Sequence, residues 1–166
     1  IEVLYGYEVN ILADATLGLP DEFLEKLDYV IVGIHSSFKQ DRKQLMKRMM
    51  VAIENPFVDM IAHPTGRLIN EREGLDLDWM TLFDEIKKHD KILEINSQPE
   101  RLDLPYDLVQ EVRKRGMKLI VDTDAHSVEM LDYMKYGVSV ARRGWCGPQD
   151  ILNTFPKATF LRTVLG

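Results

Sequence analysis

The feature that most constrains this chain is a repeat of register rather than of sequence. Short, nearly continuous runs of Val, Ile and Leu recur, and each is followed at once by a side chain able to do chemistry. The run at 28–34 ends in His35, that at 58–62 in His63, that at 91–95 in Asn96, and that at 119–121 in Asp122 and Asp124. Ahead of them a looser run at 1–12 carries Glu8 near its end. Strands apolar on both faces belong in a parallel sheet covered by helices. In such folds the functional groups gather at the C-terminal ends of the strands. The expectation is an α/β protein with Glu8, His35, His63, Asn96 and Asp124 along one rim.

Helical spacing fills the intervals. Pro20 opens a short helix to Leu27. Residues 40–54 place Leu45, Met46, Met49 and Ile53 on one face, with Lys and Arg opposite, and Asn55-Pro56 stops them. The segment 78–89 buries Trp79, Leu82, Phe83 and Ile86, and 105–115 is closed by Gly116. Further on, 127–134 reads as a helix, 137–141 as a last short strand and 149–155 as a helix.

With 166 residues, 45% of them hydrophobic and 29% charged, one domain with a sizeable core is expected. No apolar run approaches a membrane span, and no signal-peptide pattern opens the chain. A single cysteine, Cys146, excludes an internal disulfide framework and a Cys-rich zinc module. A cytoplasmic setting follows. The net charge of −6 argues against broad adhesion to nucleic acid or anionic lipid, although bound cations would invert the field locally. The chain opens at Ile1 inside a strand-like run, so it reads as part of a longer polypeptide.

The stretch Lys118-Leu-Ile-Val-Asp-Thr-Asp-Ala-His126 is the densest in ligand chemistry. Alternate residues of an extended chain point the same way, which would set Asp122, Asp124 and His126 on one side. Carboxylate and imidazole donors suit a hydrolytic metal site and accept zinc, manganese or iron. A polar turn in which Asp caps the following helix is the other reading.

Taken together, Tyr5-Gly-Tyr-Glu8-Val, Ile34-His35-Ser-Ser-Phe, Ile61-Ala-His63-Pro-Thr-Gly-Arg67, Leu93-Glu94-Ile-Asn96 and Asp122-Thr-Asp124-Ala-His126-Ser resemble the later motifs of the polymerase and histidinol phosphatase (PHP) domain. The branch most similar is the PHP domain at the C-terminus of bacterial and archaeal family X DNA polymerases. The resemblance runs from about Gly6 to near the C-terminus. It implies a distorted TIM-like (β/α) barrel, up to three divalent ions in the complete domain, and phosphoester hydrolysis. By motif, Glu8 would bridge two ions, His35 and His63 would bind one, Asp124 another and His126 a third. Glu8, Asp124 and His126 would thus sit at the reaction. Arg67 would either hold a substrate phosphate or pair a neighbouring carboxylate. Asn96 would orient a water or cap a loop.

The family's opening His-x-His motif, its following Asp and a further His have no counterpart here and would lie upstream of Ile1, leaving the barrel incomplete at its first strands. A lesser departure is Asn10, where Asp is frequent in the related domains. In the polymerase branch the implied activity is a 3′–5′ exonuclease that processes DNA 3′ ends beside the polymerase domain of the same parent chain. A histidinol-phosphatase-like phosphomonoesterase and a non-catalytic structural module are the alternatives. The remaining candidates read as structural: His89 at a helix C-terminus, an inert Cys146, solvated Arg142 and Arg143, and Met46, Met49 and Met50 as core filling.

Overall fold

The computed structural model describes residues 3–165, so Ile1 and Glu2 of the expected first strand lie outside the described residues. Five strands, β1 (Gly6–Asn10), β2 (Tyr29–Gly33), β3 (Met60–Ile61), β4 (Ile92–Asn96) and β5 (Leu119–Asp122), pair in chain order, all parallel. Each parallel step requires a crossover, which the helices supply. They are α1 (Asp21–Leu24), α2 (Arg42–Glu54), α3 (Trp79–Lys88), α4 (Tyr106–Lys114), α5 (Met134–Arg143) and α6 (Lys157–Val164). The fold is α/β, as expected, and the all-parallel sheet is consistent with a distorted TIM-like barrel. Among the described residues β1 and β5 are its two edges.

Alternation along the strands gives the sheet two unlike faces. Val9, Val32, Ile61, Leu93, Ile95, Leu119 and Val121 belong to the main core with Leu45, Met49 and Ile53 of α2, Leu82, Phe83 and Ile86 of α3, Val109 and Val112 of α4, and Val140 and Ala141 of α5. The other face carries Glu8, Ile31, Met60 and Ile92 in one row across four strands. Its lower part is apolar: Met60, Ile92 and Ile120 pack against Leu152 and against Val164 of α6. Its upper part is the polar rim.

The helix starts follow their caps. The Asp41 carboxylate accepts from the Gln44 amide at 2.8 Å to open α2, and Asp78 accepts from Thr81 at 3.3 Å to open α3. Gly116, at φ 63°, ends the segment of α4 in the left-handed region that glycine tolerates. Met49 is core filling and Met46 and Met50 pack against that core, as the spacing indicates.

Several expectations need correction. Residues 137–141 lie within α5 and not in a strand. Their Gly-Val-Ser-Val-Ala alternation mimics period two, but the buried positions are Gly137, Val140 and Ala141, which is helical spacing. Gly137 lets α5 approach the sheet, for a β-carbon there would stand 2.6 Å from Val121 Cγ1. Residues 127–134 give a 3-10 turn at Glu129–Tyr133 that runs into α5, and 149–155 give two 3-10 turns, Pro148–Asp150 and Leu152–Thr154. Helix α6 had no counterpart in the sequence reading. Arg48, assigned to the solvent face of α2, is buried, with 0% exposure.

Candidate metal centre

Glu8 lies on β1, and each imidazole comes two residues beyond its strand: His35 after β2 and His63 after β3. His35 Nε2 is 2.8 Å and His63 Nε2 2.9 Å from the same oxygen, Glu8 Oε1, and the rings meet edge to face at 5.0 Å. Donor atoms of the three residues all lie within 4.8 Å of one another, the spacing of a candidate cation site. The rings are unequally held, His63 being buried and His35 partly open to solvent. Burial alone would raise the Glu8 carboxyl, but the hydrogen bonds and charge of His35 and His63 outweigh it and hold the group well below the usual carboxylate range. Beneath the three groups lies Gly33. A β-carbon there would stand 2.8 Å from His63 Cε1, 2.9 Å from His35 Cε1 and 3.1 Å from Glu8 Oε1.

The donor set fits a divalent cation. One carboxylate and two imidazoles are ligands for zinc, manganese or iron. Without a cation, one oxygen must accept from two imidazole N–H groups. With one, the three donors direct lone pairs to a shared point, and a single carboxylate leaves positive charge for an anionic substrate.

Next to this group stands a layer of buried acids. The Glu94 carboxylate accepts from the His63 amide and fixes the turn carrying that ring. Burial raises Glu94 well above its ordinary value, and the Asp122 charge raises it further. Asp122 is pushed up to about 6, first by burial and then by the Asp124 charge, against a hydrogen bond with Glu94 that lowers it. Asn96 is fully buried and donates to Asp124 Oδ2 at 3.1 Å, while its Oδ1 accepts from the Gln98 amide at 2.9 Å. It serves both to orient a carboxylate and to cap a turn.

The alternation expected through Asp122, Asp124 and His126 stops where the strand stops. Asp124 has φ 45°, and the His126 ring, 77% exposed, turns back to place Nδ1 2.8 Å from the Asp124 carbonyl oxygen. Neither belongs to the group formed by Glu8, His35 and His63. Arg67 donates through Nε to the Arg101 carbonyl at 2.8 Å and through Nη2 to the Leu102 carbonyl at 2.5 Å, bracing one loop against another.

Four supporting residues had no functional role assigned from the sequence. Gly33 makes room for the ligands, and its only signal was an isolated glycine inside a strand. Arg48 donates to the Ser36 and Ile11 carbonyls and to Gln40 Oε1, tying the His35 loop to β1 and α2. Asp103, completely buried, accepts from the Thr65 amide at 3.0 Å, the Thr65 hydroxyl at 2.8 Å and the Gly66 amide at 3.0 Å, which fixes the loop after His63. Arg101 brings its Nε to 3.9 Å from Asp124 Oδ2.

Fold and site define a class: a parallel α/β protein with a histidine and carboxylate group at the C-terminal rim of its strands. No protein-family model matches the chain. It is 45% identical over 151 residues to the DNA polymerase/3′-5′ exonuclease PolX of Bacillus subtilis (strain 168), an alignment covering 91% of this chain and 26% of that protein. It is also 28% identical over 164 residues to a probable phosphatase of Thermoanaerobacter sp. (strain X514), covering 93% of this chain and 64% of the relative. A probable phosphatase of Caldanaerobacter subterraneus subsp. tengcongensis is 28% identical over 136 residues, covering 76% and 51%. The chain thus spans about a quarter of the polymerase relative and under two thirds of these phosphatases. These similarities are consistent with a PHP-type domain. Among the described residues no helix is long and apolar enough to cross a membrane.

Proposed function

We propose that residues 1–166 belong to a PHP domain that hydrolyses phosphoesters with divalent cations, acting as a cytoplasmic 3′–5′ exonuclease on DNA 3′ ends beside a family X polymerase domain. The observation that carries this reading is the convergence of Glu8, His35 and His63 at the strand rim. Similarity to a relative named as polymerase and exonuclease supports the choice of DNA.

In this reading Glu8, His35 and His63 hold one zinc, manganese or iron ion. Asp124 and His126 contribute to others, up to three in the complete domain. A bound cation would supply Lewis-acid polarisation of the phosphoester. The protein's own part is positional. Glu94 and Asp103 fix the His63 loop, Arg48 fixes the His35 loop, and Asn96 with Arg101 directs the Asp124 carboxylate. Arg67 acts by bracing the loop that presents Arg101. The phosphatase names among the relatives favour a second reading, a phosphomonoesterase using the same residues on a smaller substrate. A structural module with no activity is the third.

The test is hydrolysis of single-stranded DNA by the protein carrying this chain, with manganese or zinc. Activity from the 3′ end, lowered by orders of magnitude in His35→Ala and in Asp124→Ala, is expected, because each change removes a ligand and misplaces the reacting groups. Release of phosphate from histidinol phosphate with DNA left intact would select the phosphomonoesterase. Loss of stability alone, with no activity in any form, would select the structural module.

A further inference from the structure

On the same rim is a groove of about 640 Å³ bordered by Ser37, Phe38, Lys39, Glu71, Arg72 and Glu73, within the size range of small-molecule sites. Its wall is a stacked pair, with the Arg72 guanidinium carbon 3.6 Å from the Phe38 ring centroid. Both partners are pinned to the ligand loops. Arg72 Nε donates to the Gly66 carbonyl at 2.9 Å, and the Leu75 amide donates to the Thr65 carbonyl at 2.7 Å, so this loop is fastened to the one following His63. Phe38 follows His35 by three residues, which keeps their α-carbons within about 11 Å. The ring also lies against Gly66, where a β-carbon would stand 3.4 Å from Phe38 Cε1.

The charges of the groove balance, with Lys39 and Arg72 against Glu71 and Glu73. A phosphate there would face both carboxylates. A neutral planar group with its own donors would face them too but without repulsion, since carboxylates accept from exocyclic amines. Guanidinium planes and aromatic rings are the surfaces on which unstacked bases rest in single-strand recognition. We propose that the Arg72–Phe38 pair is a stacking platform for a nucleobase, so that the metal centre beside it works on nucleotide-bearing phosphoesters. This rests on the phosphoesterase reading above and adds a base-recognition subsite to it.

Two single-stranded oligonucleotides, identical except that one lacks its 3′-terminal base, separate the possibilities. With manganese, Arg72→Ala is expected to raise KM on the base-bearing strand about 5- to 150-fold more than on the abasic one, the range of a lost base stack. Arg72→Lys, which keeps the charge and loses the plane, is expected to behave like Arg72→Ala. Equal effects on the two strands, or a lysine variant indistinguishable from the parent, would overturn the platform. Titrations with deoxyadenosine monophosphate and with ribose 5-phosphate, followed through the Phe38 ring resonances by NMR, give a readout independent of turnover. Shifts with the nucleotide alone are expected. If neither strand is hydrolysed but the nucleotide still shifts Phe38, the phosphoesterase reading fails and the platform stands. If both strands are hydrolysed and the two compounds act alike on Phe38, the platform fails by itself.

Discussion

Replacing Gly33 by alanine is the most direct challenge to the proposed centre. The added methyl would enter the space where His63, His35 and Glu8 converge, at 2.8, 2.9 and 3.1 Å from their nearest atoms. Those separations are roughly half an ångström inside ordinary contact, and the neighbours differ in their freedom to move. His63 is buried, with its backbone amide held by Glu94, whereas His35 has solvent on one side. The strain is therefore expected to drive the His35 ring outward and pull its nitrogen from the shared point. Overpacking of this kind costs about 1–3 kcal/mol, and in a domain of this size each kcal/mol lowers Tm by about 2–4 °C. Displacing a ligand while leaving it in place should weaken metal binding about 10- to 100-fold, by analogy with loss of an orienting partner. Calorimetric titration with zinc or manganese, alongside melts in chelator, measures both effects. Val32→Ala is the control. It hollows the helix-covered face next door in sequence, where Val32 is completely buried, and should lower Tm without changing metal affinity. A Gly33→Ala protein that binds metal as tightly as its parent would refute the claim that these three side chains form the site.

Further outcomes follow from the same geometry. Arg48→Met leaves the buried Ile11 carbonyl and the Ser36 carbonyl without this donor and is expected to cost about 1–3 kcal/mol in urea unfolding; an unchanged midpoint would show that the brace is unimportant. Asp122, raised to about 6 by burial and by Asp124, keeps a proton in the folded state that the unfolded chain releases near pH 4. Metal-free stability should therefore fall as pH rises from about 4 through about 6, and Asp122→Asn should flatten that slope when midpoints at about pH 4.5 and 7 are compared. Elemental analysis after dialysis should give about one firmly held cation for the isolated chain; three would contradict the assignment of a single complete ligand group among the described residues. The Cys146 thiol, pushed up to about 11 by burial and by Asp150, should react slowly with iodoacetamide at neutral pH, and rapid labelling in the native state would contradict that burial.

The strands were legible because parallel strands covered on both faces leave a plain mark: Val30 to Val32 and Leu119 to Val121 are apolar without interruption, and Ile92 to Ile95 is broken only by Glu94. That His35 and His63 follow their strands was legible for the same reason, although each strand ends one residue before its apolar run does. Residues 137–141 were not, since Gly-Val-Ser-Val-Ala satisfies period two as well as helical spacing. Only contact with Val121 and Ser97 selects the helix. Arg48 was misplaced because a basic residue in an amphipathic helix is ordinarily solvated, and the carbonyls that call it inward belong to segments up to 37 residues away. By itself the sequence determined which side chains end the strands and hence which rim carries chemistry. The tertiary structure decided which of them meet. Glu8, His35 and His63 converge because β1, β2 and β3 are adjacent and Gly33 leaves room between them. Asp124 and His126 fall outside that group because the backbone leaves the extended conformation after Asp122, and from there the alternation that governs a strand no longer sets where a side chain points.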